Sequence, residues 1–488
     1  MRVLFVTAEA APFAKVGGLA DVAGAFPPAL RGLGVDVRVI MPRYASIDPR
    51  QHGLSRLAAS FDLPGERGAP LRCDLWEARL DGVPIYFLEE PRYLTRAEIY
   101  GTPDELERFT VFCRGVLGAA RALRFRPDVI QSNDWHAALL PAWLRLGVSG
   151  DGFFDATVGL LTIHNLSFQG HFDDGFRARW DLVPAEIAAR AVAGVTLDSA
   201  MALGLHYADL ITTVSPTYAQ EVLTPEFGAG LDPVLRSRRE RLFGVLNGID
   251  VTSFDPETDP FIHPNYGPDS LEKKVEVKAA LQREAKLPER PDVPLIGVVS
   301  RLTDQKGFDL VLPALGELVG SRPFQLVVLG TGEQRFHEGF SELARRHPTT
   351  VALYLKFDVA LAQRIYAGAD LFLMPSRFEP CGLGQMIALR YGTVPVVRAT
   401  GGLRDTVQEW DASRGEGNGF VFQRYAPDAL LVALNRALDA FGDGAGWRRL
   451  QLNGMRADFS WGPSARRYVE LYELARRLRA EQVPGAEA

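Results

Sequence analysis

Four loops in this sequence concentrate glycines, cations, carboxylates, amides and aromatics, residue types that could do chemistry together. The first is Ala14-Lys15-Val16-Gly17-Gly18-Leu19-Ala20-Asp21. Its paired glycines let backbone amides approach an anion at a helix start, and Lys15 adds a formal positive charge. A Gly-rich turn needed only for packing is the plainer alternative. The complete GxGxxG dinucleotide fingerprint is absent here, and GxxxxGK[ST] occurs nowhere in the chain. The second loop, Ser300–Gly307, holds Arg301 and Lys306. Arginine grips phosphate with two parallel N–H donors and lysine supplies a compact charge. Two solvated surface cations would leave the same pattern.

The third loop runs from Pro375 to Gly384 and contains Glu379, Cys381, Gly382 and Leu383. Gly382 and Leu383 can offer amides to an anion at a helix start. Glu379 is a carboxylate for chemistry or, more plainly, a helix cap. Cys381 reads as a small buried residue, since no Cys–His arrangement lies near it. The fourth cluster is Asn133-Asp134-Trp135-His136 with Thr162–Gly170, which includes His164. Amides, carboxylates and aromatic faces together satisfy the hydroxyls and flat apolar faces of a sugar. His164 alternatively reads as a neutral core histidine bonded to backbone. HExxH is absent, so a zinc site is disfavoured. Asp-x-Asp is absent too. Without such paired carboxylates to hold a metal, Lys15, Arg301, Lys306 and helix amides must neutralise a leaving diphosphate.

These loops need strands before them and helices after them. Strands are expected at Arg2–Thr7, Val35–Met41, Pro84–Leu88, Asp128–Ser132, Val158–His164 and Leu210–Val214. Helices are expected at Asp104–Phe125, His136–Leu146 and Ser199–Tyr207, and from Pro216. A second series has strands Leu295–Ser300, Gln325–Leu329, Val351–Phe357, Leu371–Pro375 and Val394–Val397. Its helices fall near Gly307–Val319, Gln334–Arg346, Ala360–Ala369, Leu383–Tyr391, Ala429–Ala440 and Ser464–Arg479. Between them, residues 251–290 are crowded with Pro, Asp and Gly and read as an interdomain crossing followed by a charged helix, Leu271–Ala285. Two such series predict an α/β protein of two doubly wound Rossmann-like domains, 1–250 and 291–460, facing across a deep cleft. Residues 461–488 are expected to form a helix packing back on the first domain and a frayed tail. In these folds ligands bind at the carboxyl ends of strands, where all four loops lie.

Length and composition agree. The chain has 488 residues, of which 47% are hydrophobic and 23% charged. It carries 54 Lys+Arg against 60 Asp+Glu, a net charge of −6. That balance argues against broad nucleic-acid binding, which needs a basic face. The three cysteines, Cys73, Cys113 and Cys381, form no CxxC, so a reducing cytoplasm is expected. The opening MRVLFVTAEAAP meets Glu9 and Pro12 too early for a signal peptide. No uncharged apolar stretch reaches the ~18 residues of a membrane span.

Eight segments, in order, carry a family resemblance: KVGGLADV, SNDWHAALLPAWL, TIHNLSFQG, TTVSPTYAQE, VLNGID, SRLTDQKGFD, SRFEPCGLGQ and TGGLRDTV. Together the chain resembles bacterial glycogen synthase, close to plant starch synthases, among the retaining GT-B glucosyltransferases. The resemblance implies transfer of glucose from ADP-glucose to the non-reducing end of an α-1,4-glucan, with retained α configuration, no metal and no cofactor. It implies that Lys15, Gly18, Arg301 and Lys306 bind the donor's diphosphate. Gly382 and Leu383 lie in the donor loop that the family shares. Glu379 is then the essential carboxylate, near the donor sugar's developing positive charge. His164 then contacts the glucosyl group and stabilises charge through its backbone carbonyl. Asp21, Asp134, Asn247 and Cys381 fall on the sugar and acceptor side. Phe357 matches the aromatic that packs on adenine, its alternative being a buried strand-end Phe. The family is thought to react on one face, the departing phosphate taking the acceptor's proton; double displacement stays open.

Two departures stand out. Thr95 and Ala97 occupy positions where relatives commonly carry Asp and Pro, near the acceptor side, and Gln131-Ser132 is a less usual lead into Asn133. UDP-glucose as donor and glucose 1-phosphate as acceptor are the nearest alternatives. A pyridoxal-phosphate-dependent phosphorylase lacks a motif here. A non-catalytic glucan-binding protein has no need of intact Lys15, Arg301, Lys306 and Glu379.

Overall fold

The computed structural model describes residues 1–147, 152–183 and 191–481. It divides into two compact units, Met1–Gly248 with Trp461–Ala488, and Ile249–Ser460. The tail expected to fray lies, apart from Glu481, outside the described residues.

The first unit is built on a nine-stranded sheet. Its strands are β1 (Arg2–Val6), β2 (Asp36–Pro42), β3 (Ser55–Pro64), β4 (Pro70–Leu80), β5 (Val83–Glu89), β6 (Val129–Asn133) and β7 (Val158–Ile163). After a small hairpin of β8 (Ala191–Val192) and β9 (Val195–Thr196) come β10 (Leu210–Thr213) and β11 (Leu242–Gly244). The spatial order is β11-β10-β7-β6-β1-β2-β5-β4-β3. All neighbours pair in parallel except β4, which runs antiparallel to both β5 and β3. The parallel strands are covered on both faces, so they read as unbroken apolar runs such as RVLFV and VGLLTI. Helices Glu105–Ala122, Leu139–Leu146 and Ala200–Tyr207 pack on one face. On the other face, helix Gly18–Gly32 meets the C-terminal helix Trp461–Ala480, with Phe26 4.9 Å from Trp461 and 4.7 Å from Tyr468 between ring centroids. The Tyr472 hydroxyl donates to Gln131 Oε1 in the centre of the sheet.

The second unit has a six-stranded, all-parallel sheet of β12 (Leu295–Val299), β13 (Gln325–Leu329), β14 (Val351–Tyr354), β15 (Leu371–Met374), β16 (Val394–Arg398) and β17 (Phe420–Phe422). Their order is β14-β13-β12-β15-β16-β17. The order reverses between β12 and β15, which makes the carboxyl edge of these two strands the place for a ligand. Both fall where the sequence puts the Arg301 and Glu379 loops.

Phe357 and the charged helix differ from the sequence expectation. Strand β14 stops at Tyr354, so Phe357 is no buried strand-end residue; it stands clear of the strand at 78% exposure. The charged helix, Lys274–Glu284 in the structure, does not present all its charge to solvent. Lys274 and Lys278 are buried in this unit. Lys274 Nζ donates to the Ala367 and Tyr391 carbonyls and to Thr393 Oγ1, and Lys278 Nζ lies 2.7 Å from Asp370 Oδ2. A periodicity that counts Lys as polar misses a lysine that serves as a hydrogen-bonded core residue.

Candidate active site

In the first unit the carboxyl ends of β1, β6 and β7 deliver three loops side by side. The loop after β1 opens helix Gly18–Gly32, with Gly17 as its N-cap. Lys15 Nζ reaches Asp21 Oδ1 at 2.6 Å in a partly exposed pair. Beneath the loop, buried Glu9 accepts hydrogen bonds through Oε2 from the Val16 amide at 2.6 Å and the Gly17 amide at 3.0 Å. Its Oε1 accepts from the Tyr100 hydroxyl at 3.2 Å. Burial raises the Glu9 carboxyl above its ordinary value.

Asp134 follows β6 with φ 56° and ψ −174°, a region that side chains rarely occupy and that costs of order 1–3 kcal/mol. The turn aims its carboxylate at the next loop. Oδ1 accepts from the amides of His164 at 2.6 Å and Asn165 at 3.1 Å. Desolvation pushes this carboxyl up to about 7. His164 Nε2 lies 2.9 Å from Asn133 Oδ1. Because Asn133 Nδ2 donates to the Val6 carbonyl at 2.8 Å, its oxygen faces the imidazole, so Nε2 carries the proton. Burial pushes His164 down to about 3, which keeps the ring neutral. The ring partner is thus a side-chain amide rather than backbone. Asn247 is buried in the loop after β11, next to Leu246, whose carbonyl accepts from Ser464 Oγ.

In the second unit the loop after β15 is shaped by two glycines. Gly382 has φ 74° and Gly401 φ 43°. A Cβ on Gly401 would stand 1.9 Å from the Glu379 carbonyl oxygen, so no side chain fits there. The Gly402 amide donates to that same carbonyl at 3.1 Å. Gln385 Nε2 holds the Cys381 and Gly382 carbonyls at 3.1 and 3.0 Å. So fixed, the buried Glu379 carboxylate takes Lys306 Nζ at 2.6 Å and Ser376 Oγ at 3.0 Å on one oxygen, Oε2. Its first partner comes from the loop after β12, 73 positions away in sequence. Glu379 is therefore not a helix cap, and Lys306 is not a free surface cation. Arg301 remains exposed, with Gln305 Oε1 at 3.4 Å as its side-chain partner. Cys381 is buried. Gly382 and Leu383 immediately precede helix Gly384–Arg390.

Within each unit, then, the structure gathers separate motifs. Asp134 joins His164, and Lys306 joins Glu379. Three contributors escaped the sequence reading: Glu9, Tyr100 and Ser376. Glu9 was detectable in principle, as a carboxylate directly after a buried strand. Tyr100 was not, because nothing local marks a tyrosine that reaches 91 positions back to a carboxylate. Among the described residues no group of three or more His, Cys, Asp or Glu side chains is placed to hold a metal ion.

Known proteins resemble this chain in sequence and fold. Residues 2–237 match the family model of the starch synthase catalytic domain, and residues 281–440 that of glycosyl transferases group 1. The glycogen synthase of Syntrophotalea carbinolica is 47% identical over 98% of this chain and 99% of its own length. That of Geobacillus stearothermophilus is 46% identical over 97% of each. The structure of the catalytic domain of starch synthase IV from Arabidopsis thaliana, bound to ADP and acarbose, superposes with a TM-score of 0.90 at 34% identity, over 97% of this chain and 99% of that one. Sucrose-phosphate synthase from Thermosynechococcus elongatus, 17% identical with a TM-score of 0.61, shares the fold. Two doubly wound α/β units, the ordered loops at their strand ends and full-length similarity to these enzymes place the chain in the glycogen and starch synthase family of GT-B glycosyltransferases.

Proposed function

We propose that this glycosyltransferase moves glucose from ADP-glucose to the non-reducing end of an α-1,4-glucan, retaining the α configuration and using neither metal nor cofactor. The observation that carries the reading is the Glu379–Lys306–Ser376 cluster at the strand-order reversal. A buried carboxylate there faces the charge that develops on a glucosyl ring, and its lysine partner faces the charge that develops on a leaving diphosphate. Lys15, Gly18 and Arg301 supply further donors to the diphosphate, and Phe357 offers an exposed aromatic face to adenine. Asp134, His164, Asn247, Asp21 and Cys381 bear on the sugars.

In the reaction the bond from glucosyl C1 to the diphosphate oxygen breaks. C1 bonds to the acceptor's O4 on the same face, and the acceptor's proton passes to the departing phosphate oxygen. Neutral His164 has no proton to give at its Nδ1. Glu9 already accepts three hydrogen bonds, and Glu379 is held by a cation. This supports the one-face route over a double displacement, which needs a free carboxylate nucleophile. The reading places the enzyme in the cytoplasm, which three buried cysteines outside any disulfide fit; no helix among the described residues is long and apolar enough to cross a membrane.

Labelled ADP-glucose and glycogen, incubated with excess chelator, should give labelled glucan, and Glu379→Ala should reduce labelling by on the order of a hundredfold or more. Labelling from UDP-glucose alone refutes the donor, and full activity in Glu379→Ala refutes the site.

A further inference from the structure

We infer that Glu9 is a positioning residue: its carboxylate fixes the Lys15–Gly18 loop in the form that receives the donor's diphosphate and ties that loop to the segment carrying Tyr100. The inference rests on the reading of that loop as a diphosphate site.

The backbone shows what the loop hangs on. Up to Ala14 it is held by its own carbonyls: Phe13 and Ala14 both donate to Ala10, and Ala11 donates to Ala20. Beyond that point the amides of Val16 and Gly17 turn inward to Glu9 Oε2. The stretch that carries Lys15 and leads into the helix start at Gly18 is thus shaped by one side chain. Removing that acceptor strands two consecutive amides, which must find water or another conformation.

The same carboxylate reaches a second element. Tyr100 donates to Oε1, and the segment around it is bolted by buried Arg108. Arg108 Nε donates to the Tyr93 carbonyl at 3.0 Å, Nη2 to the Glu98 carbonyl at 2.7 Å and Nη1 to Thr102 Oγ1 at 2.9 Å. Glu9 is therefore the junction between a loop anchored to β1 and a segment anchored to helix Glu105–Ala122. This segment includes Thr95 and Ala97. A carboxylate suits the junction because it is acceptor-only and can take three donors at once. Burying an anion with no cation bonded to it is an expensive way to shape a turn. Such expense is expected where the geometry of the turn matters to a ligand.

The test uses the full chain and four variants. Glu9→Ala should weaken ADP binding by calorimetry and raise the ADP-glucose KM by about tenfold or more, leaving the glucan KM within about twofold. Glu9→Gln keeps an oxygen for the two amides and an N–H for the Tyr100 oxygen, and should recover most of the loss. A folded Glu9→Ala that binds ADP like the unaltered enzyme overturns the inference. So does an equal rise in both KM values, which marks general damage. If Glu9→Ala does not fold, Tyr100→Phe carries the test: removing one hydroxyl should weaken ADP by about twofold to fivefold, and no change overturns the role. Lys15→Ala separates the levels. Unaltered ADP affinity in Lys15→Ala refutes the diphosphate site and the role of Glu9 with it. Impaired Lys15→Ala beside normal Glu9→Ala refutes the role of Glu9 alone.

Discussion

Replacing Asp134 by Asn should make the first unit more stable and the enzyme worse. The carboxyl is pushed by desolvation from its ordinary 3.8 up to about 7, so the folded state holds a proton that the unfolded chain releases. Between pH 4 and 7 the folded state therefore binds more protons than the unfolded one, and stability falls as pH rises through that window. At roughly 1.4 kcal/mol for each factor of ten, the ionised side chain costs the fold on the order of 4 kcal/mol at pH 8 and on the order of 1–2 kcal/mol at pH 5. Asn keeps the oxygen that accepts from the His164 and Asn165 amides, and it tolerates the positive φ at this turn. It sheds only the charge. Asp134→Asn should thus be more stable than the unaltered chain at pH 8 by about 2–4 kcal/mol, and the advantage should shrink toward pH 5. Urea unfolding followed by tryptophan fluorescence reads this, since Trp135 adjoins the site. Glucan transfer at pH 8 should fall by on the order of tenfold or more, because the proposed function puts this carboxylate near the sugar. A variant no more stable at pH 8, or an advantage independent of pH, refutes the reasoning.

Two further outcomes follow from buried titratable groups. Lys274→Met leaves the Ala367 and Tyr391 carbonyls and Thr393 Oγ1 without the lysine donor, with one Tyr266 hydroxyl left to serve both carbonyls, and should destabilise the second unit by about 1–3 kcal/mol in urea unfolding. Burial pushes this amine down to about 7, so the unaltered chain should gain stability as pH rises from 7 toward 10, a slope the Met variant should lack. For His164, two-dimensional NMR of the imidazole should show a neutral ring with its proton on Nε2 and no titration between about pH 5 and 8. A midpoint near the ordinary 6.5 would contradict the burial and the Asn133 bond together.

The parallel strands were legible because burial on both faces writes an unbroken apolar run, as in LIGVV and QLVVL. Helix Gln334–Arg346 was found whole because its apolar stripe is narrow and regular. The antiparallel pair β3–β4 was not found. Its sequence, with Arg56, Asp62, Arg72, Asp74 and Glu77 between apolar residues, reads as loop unless the partner strand is known. Short elements near the site, such as helix Gly401–Thr406 and β17, were missed for a related reason: two glycines and three strand residues carry no period. The site loops were placed correctly on strand ends, yet their partnerships were not readable. No local pattern states that Lys306 closes on Glu379, or that Asn133 sets the tautomer of His164. Those are consequences of strand order, which brings β12 beside β15 and β6 beside β7.

The two units solve the problem of a fixed loop in different ways, and the difference fits the charges each must meet. In the second unit the anion Glu379 is neutralised by Lys306, a cation brought from a neighbouring loop. In the first unit Glu9 and Asp134 are held mainly by amides, two consecutive ones each. Amides are fixed dipoles and cannot leave with a ligand, so these carboxylates stay where they are through a reaction cycle. Burial raises the pKa of both, Glu9 adds repulsion at Asp134, and Asp134 adds backbone strain. Folding alone would favour removing both charges. In the reaction proposed above, a standing negative field at Asp134 would cost stability at rest and lower the barrier when an oxocarbenium-like ring forms, while Glu9 would hold the neighbouring loop in place.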